Sequence, residues 1–243
     1  NESGLFDIAE ELRVKPAIEI RECLIDITDR ESLLHVFSDE RPALVFHAAA
    51  YKHVPMLEAH PAQAVLTNVI GTWHALTCAE AVGVRRFVLI STDKAVARHS
   101  VMGCTKRLCE QMILGWQGQM QCWAVRFGNV VGSRGSVVPL FERQIQQGGP
   151  VTITHPDMTR YMMTIREAVT LVIRTVNIAR PGHVYMLDMG EPIKIIDLAE
   201  SLVRARGLRP GADIEIIYTG LRPGERLHED LLAPDEGSRP TQD

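Results

Sequence analysis

Three short apolar runs, separated by stretches of helical periodicity, constrain this chain more than any other feature. They are Ala43–Ala48, Arg86–Ser91 and Cys122–Phe127. Runs of this kind suit strands buried in a parallel sheet. Between the first two, Pro61 suits the first position of a helix. Ala64, Val65, Val69, Trp73 and Leu76 give that helix one apolar face, and Gly83 closes it. Between the second and third lies a helix from about Met102 to Trp116. Upstream, Phe6, Ala9 and Leu12 recur at helical spacing, and Asp29 is placed as an N-cap before Leu33, Leu34, Val36 and Phe37. This alternation predicts an α/β fold, a doubly wound parallel sheet with helices on both faces.

The second half is less regular. Thr164-Ile-Arg-Glu167 is a capping box ahead of Ala168, Leu171, Val172 and Val176. His183–Leu187 and Ile214–Tyr218 read as strands, with a helix from about Ile195 to Arg206 between them. Gly148-Gly-Pro150 breaks the chain before these elements. The boundary falls near residue 135, which separates residues 1–135 from a smaller α/β region, 136–243. A helical pattern begins almost at Asn1, and the tail Glu236–Asp243 is polar and expected to be loose. The chain reads as a piece of a longer protein.

Composition narrows the function classes. Hydrophobic residues make up 46% and charged residues 23%, which excludes a disordered chain. Lys and Arg total 26 against 30 Asp and Glu, so the net charge of −4 gives no reason to expect a nucleic-acid partner. No apolar run approaches the ~18 residues that span a bilayer. Cys23, Cys78, Cys104, Cys109 and Cys122 form no CxxC pair and no metal-ligand spacing, so neither a zinc site nor a disulfide framework is expected.

In open α/β sheets, ligands bind beyond the carboxyl ends of the strands. Three loops follow the apolar runs. Phe46-His-Ala-Ala-Ala-Tyr-Lys-His53 has small residues that let a flat ligand approach the backbone, or that serve tight helix packing. Ser91-Thr-Asp-Lys94 brings a hydroxyl, a carboxylate and an amine together at a strand end. An acid/base constellation and a solvated turn with an Asp–Lys pair account for it about equally. Gly128–Ser133 is the third. Met102 and Lys106, four apart, share a helix face. From spacing alone, a core Met and a surface Lys is the better account of them.

The wording of the motifs goes further. His47-Ala-Ala-Ala-Tyr-Lys-His-Val-Pro55, Thr67-Asn-Val-Ile-Gly-Thr72, Phe87-Val-Leu-Ile-Ser-Thr-Asp-Lys-Ala-Val96, Met102-Gly-Cys-Thr-Lys-Arg107, Val125-Arg-Phe-Gly-Asn-Val-Val-Gly-Ser133, Thr159-Arg-Tyr-Met-Met-Thr164 and Leu221-Arg-Pro-Gly-Glu225 together span most of the chain. They resemble the nucleotide-sugar 4,6-dehydratases of capsule and O-antigen polysaccharide biosynthesis, within the extended short-chain dehydrogenase/reductases. The resemblance implies a Rossmann-like fold. There are two departures. The family's Gly-rich pyrophosphate turn has no counterpart in this sequence, and Met102 stands where these dehydrogenases carry Tyr. The Met resembles the membrane-anchored branch, which implies a cytoplasmic domain of an inner-membrane protein.

The resemblance also implies roles. NAD accepts a hydride from C4 of the sugar and returns it to C6 after water has left, so the reaction is redox-neutral. Asp93 would be the acid toward the C6 hydroxyl and Lys94 the base at C5. Thr92 would bond the C4 oxygen. Met102 cannot take a proton, which leaves the C4 hydroxyl proton to water or to Asp93. A lysine base, with its reference pKa of ~10.4, needs desolvation or a nearby cation. Lys106 would supply the cation and hold the nicotinamide ribose. Asp26 and Ile27, after a strand, would contact adenine. Ala48, Ala49, Tyr51 and Asn68 would line the cofactor cleft, with Phe127 near the nicotinamide. Lys52, Asn129, Arg160, Arg222 and Glu225 would bind the nucleotide sugar, the arginines through planar donors that suit a diphosphate. The implied substrate is UDP-N-acetylglucosamine. Residues 1–135 would hold NAD and 136–243 the UDP-sugar, and the fold would self-associate through helices Pro61–Val82 and Met102–Trp116. A 4-epimerase on the same scaffold is the alternative, although it has no use for an Asp–Lys pair and needs a Tyr-type base. A non-catalytic nucleotide-sugar binder is the other.

Overall fold

A computed structural model of the chain describes residues 2–13, 19–133 and 135–241. The first half runs α1 (Glu2–Arg13), α2 (Arg30–Glu40), β1 (Leu44–His47), α3 (Val54–Ala59) and α4 (Pro61–Ala64). A π-helical segment, Val65–Ile70, joins α4 to α5 (Gly71–Ala81). Then come β2 (Arg86–Ile90), α6 (Lys94–Ala97), α7 (Val101–Leu114) and β3 (Gln121–Arg126). The second half runs β4 (Asn129–Val131), α8 (Val137–Gln146), β5 (Val151–Ile153), β6 (Thr159–Arg160), β7 (Met162–Thr164) and α9 (Ile165–Ile178). It ends with β8 (Val184–Met186), β9 (Ile193–Lys194), α10 (Ile195–Ala205) and β10 (Ile216–Tyr218).

The three apolar runs are neighbours in one parallel sheet, ordered β1-β2-β3-β8. Strand alternation sends side chains to opposite faces. Phe87 and Leu89 of β2, with Cys122 and Ala124 of β3, face a core built with Leu76 of α5 and Ile113 of α7. Val88, Trp123 and Val125 face the other way, onto Ala168 and Val172 of α9. The Trp123 indole donates to Thr175 at 2.9 Å. Helices therefore cover both faces, the doubly wound architecture expected. A separate apolar cluster joins Phe141 and Ile145 of α8 to β5, α10 and Ile214.

Helix starts follow the local chemistry. Asp29 accepts from the Glu31 and Ser32 amides ahead of α2, Ser100 accepts from the Gly103 amide at the start of α7, and Thr164 and Glu167 form the capping box of α9. Two expectations are corrected. Residues 19–26 form no strand ahead of Asp26, because β1 has no second ladder partner among the described residues. The tail is not loose where Glu236 stands, since that carboxylate pairs with the buried guanidinium of Arg126 at 2.7 Å and with Arg107. Residues 242–243 of the tail lie outside the described residues. No described helix is long and apolar enough to cross a membrane, and the described residues hold no cluster of three metal-ligating side chains. All five cysteines are free. Cys78, Cys109 and Cys122 are buried, whereas Cys23 and Cys104 are exposed.

Candidate active site

Because β1, β2 and β3 are adjacent and parallel, the loops at their carboxyl ends converge. They wall a cavity of about 350 Å³, lined by Ala48, Tyr51 and Lys52 after β1, Thr92 and Lys94 after β2, and Phe127 and Asn129 after β3. Met102 and Lys106 close it from α7. Nine of the residues singled out in the sequence therefore meet around one cavity.

Asp93 sits just behind this wall. Its amide donates to the Phe127 carbonyl at 3.0 Å, which fixes the turn to β3. Its side chain is fully buried. Oδ1 accepts from the Thr92 hydroxyl at 2.8 Å and from Lys94 Nζ at 3.0 Å, while Oδ2 is buried with no partner. A buried carboxylate oxygen without a donor is costly, and a solvated turn would not hold one. The loop is therefore not a solvated turn. Lys94 Nζ also donates to Asn129 Oδ1 at 3.3 Å and lies 3.7 Å from Glu229 Oε1. Behind Lys94, α7 presses its first turn onto the loop. A Cβ on Gly103 would meet the Lys94 carbonyl oxygen at 2.3 Å, so only glycine fits there.

Met102 packs against Val54, Leu57 and Ala64. Lys106 is buried, its Nζ donates to the Ile90 carbonyl at 2.6 Å, and burial pushes its amine below the usual lysine range. Burial also lowers Lys52. Asn68 is wholly buried and braces the first loop. Its side chain accepts from the Tyr51 amide at 2.7 Å and donates to the Tyr51 carbonyl and to Thr105 Oγ1. Beneath it, the Thr72 hydroxyl donates to the Asn68 carbonyl at 2.6 Å, so His47 Nε2, 2.8 Å from that hydroxyl, is the donor to it.

Other expected residues lie apart from the cavity. Ala49 is exposed between its lining neighbours. Asp26 accepts from the amide and hydroxyl of Thr28, which hold its carboxyl below the usual range, and Ile27 packs against Gly71. Arg160 donates to the carbonyls of Thr159, Arg226 and Leu227. Arg222 pairs with Glu225 at its own turn. Sequence reasoning missed Gly103 and Glu229. Gly103 carried a signal, a glycine inside a helical pattern, whereas Glu229 lies in an irregular segment with none.

All of residues 1–243 match the family described as polysaccharide biosynthesis protein. The chain belongs to that family. Within and around the family, it is 46% identical over 240 residues to the capsular polysaccharide biosynthesis protein CapD of Staphylococcus aureus, covering 97% of this chain and 40% of that protein. The chain thus spans about two fifths of that relative's length. It is 37% identical over 197 residues to a protein named UDP-glucose 4-epimerase in Rickettsia akari, covering 79% of this chain and 56% of the other. Among solved structures, Pen from Bacillus thuringiensis superposes with a TM-score of 0.88 at 35% identity, covering 97% of this chain and 73% of that one. The fold is shared with the dTDP-glucose 4,6-dehydratase DesIV of Streptomyces venezuelae, solved with NAD bound, at 20% identity and a TM-score of 0.77, covering 90% and 74%.

Proposed function

We propose that this polysaccharide-biosynthesis chain carries the catalytic centre of a UDP-N-acetylhexosamine 4,6-dehydratase, with UDP-N-acetylglucosamine as substrate. The observation that carries the reading is the Thr92–Asp93–Lys94 cluster at the end of β2, with the unpartnered Asp93 oxygen buried behind the cleft and Met102 facing it. Elimination of water needs one group for the C5 proton and another for the C6 hydroxyl, and a paired amine and carboxylate supply both. Lys94 takes the C5 proton, Asp93 serves the departing hydroxyl, and Thr92 holds the C4 oxygen.

The cleft suits the nicotinamide end of the dinucleotide, whose pyrophosphate turn has no counterpart in this sequence. Ala48 offers a low wall, Phe127 an apolar one, and the buried Lys106 a cationic donor already aimed at the strand end. Lys106 and Tyr51 would hold the ribose beside the nicotinamide, with Ala49 and Asn68 shaping the loop and Asp26 and Ile27 at the adenine end. When bound, NAD supplies reversible hydride acceptance. The side chains of Lys52, Asn129, Arg160, Arg222 and Glu225 are assigned to the nucleotide sugar. For Arg160 and Arg222 this requires exchanging their present partners for phosphate oxygens. The cluster around α8, β5 and α10 supports a division into a cofactor part, 1–135, and a nucleotide-sugar part, 136–243. The resemblance at Met102 supports anchoring at the cytoplasmic face of the inner membrane, and the fold supports self-association. Membrane fractionation and sedimentation test these two.

The 4-epimerase reading is supported by the Rickettsia relative's name. The Asp93–Lys94 pair, for which epimerisation at C4 has no use, disfavours it. Incubating the protein that carries this chain with UDP-N-acetylglucosamine separates the two. Formation of a 4-keto-6-deoxy product supports dehydration, whereas interconversion with the C4 epimer and no loss of water contradicts it.

A further inference from the structure

Glu229 belongs to no motif singled out in the sequence, yet it is buried against the catalytic cluster. Only 8% of its surface is exposed, and its Oε1 lies 3.7 Å from Lys94 Nζ and 3.9 Å from Arg160 Nη2. The segment that carries it has no helix or strand. Arg160 holds that segment in place, donating to the Arg226 carbonyl at 2.8 Å and the Leu227 carbonyl at 3.0 Å. The Lys94 ammonium is thus placed among Asp93 Oδ1, Asn129 Oδ1 and Glu229 Oε1, three acceptors contributed by three different parts of the chain.

We propose that Glu229 is a positioning residue for Lys94, whose amine it holds at the cleft wall together with Asp93 and Asn129. The proposal rests on the dehydration reading for what Lys94 then does at C5. The charged groups facing Glu229 are Lys94 and Asp93 beside the cleft, Arg160 from β6, and Arg226 from its own segment. Burial raises the Glu229 carboxyl above the usual range, the Lys94 cation opposes that, and Asp93 adds to it. A carboxylate beside an ammonium favours the protonated amine. Removing the Glu229 charge removes that attraction for the Lys94 amine. The base at C5 is therefore held by a carboxylate that does not line the cleft.

Competitive labelling of Lys94 by acetic anhydride across pH, read by mass spectrometry, tests this without substrate or cofactor. Glu229→Gln keeps the size of the side chain and removes its charge. The account expects the midpoint of Lys94 labelling to fall by about 1 pH unit, the lower end of what a lost opposite charge produces. An unchanged midpoint in a folded Glu229→Gln protein overturns the proposal. If that variant does not fold, Lys94→Met tests the same coupling from the other side, because linkage is reciprocal. The carbon-13 carboxyl resonance of Glu229 should then titrate at higher pH than in the wild type, and an unmoved titration overturns the proposal. Where substrate turns over, the acid limb of C5 proton exchange should move to lower pH in Glu229→Gln with KM within about twofold. A merely structural role would leave that limb in place. A wild type that makes no 4-keto product, with the labelling midpoint still shifted in Glu229→Gln, overturns the dehydration reading and upholds the role of Glu229.

Discussion

At the scale of single residues, Gly103 and His47 show how tightly the cleft is supported. A methyl group at Gly103 would sit 2.3 Å from the Lys94 carbonyl, a backbone atom that cannot swing aside. Gly103→Ala should cost ~1–3 kcal/mol, as overpacking does, and should displace the turn that presents Lys94. Thermal unfolding together with the rate of product formation checks this, and a variant matching the wild type in both contradicts it. His47 is held neutral. Burial, with the Lys106 cation as the lesser cause, pushes its imidazole down to about 3 from 6.5. Between those values the unfolded chain binds the proton and the folded one does not, so stability falls as pH drops from 6.5 toward 3. His47→Gln should flatten that part of a plot of unfolding free energy against pH. An equally steep decline in the variant would show that other groups drive it.

At the scale of elements, the tail and α7 are joined by a buried ion network. Glu110 of α7 accepts from Arg126 through both carboxylate oxygens, at 3.1 and 2.8 Å, and from Ser91 at 2.6 Å, while Glu236 accepts from Arg126 and Arg107. Removing one partner of a buried pair leaves the other charge uncompensated, which costs ~3–5 kcal/mol. Glu236→Ala leaves Arg126 and Arg107 paired with Glu110, so it should cost less than this but expose the chain after Leu231 to limited proteolysis, and an unchanged cleavage pattern contradicts this. The network marks where sequence reading stopped. Strands β1 to β3 were legible because burial on both faces leaves a continuous apolar run, and Thr164 and Asp29 announced their helices through side chains that bond their own backbone. The pairs β4–β7 and β6–β9 are two or three residues long, and tertiary contact rather than local pattern decides them. The π-helical segment Val65–Ile70 keeps the composition of an ordinary helix and gave no sign of itself. The same holds for the site. Thr92, Asp93 and Lys94 are contiguous at a strand end and were readable, whereas Glu229 reaches Lys94 only through an irregular segment that Arg160 clamps from a distant strand.

At the scale of the whole molecule, parallel strand order turns three separated loops into one cleft. The alternation of β2 and β3 side chains seals both faces of the sheet, which leaves the carboxyl ends of the strands as the place where polar groups gather. The central claim is that the cluster at the end of β2 performs an elimination, with Asp93 serving the C6 hydroxyl. Single turnover of the Asp93→Asn protein with NAD and UDP-N-acetylglucosamine, followed by the absorbance of reduced cofactor, tests it most directly. The account predicts that C4 is still oxidised, that reduced cofactor accumulates because water does not leave, and that product formation falls ~10²–10⁴-fold, as loss of one acid or base group does. Product at the wild-type rate, with no accumulation, would contradict it.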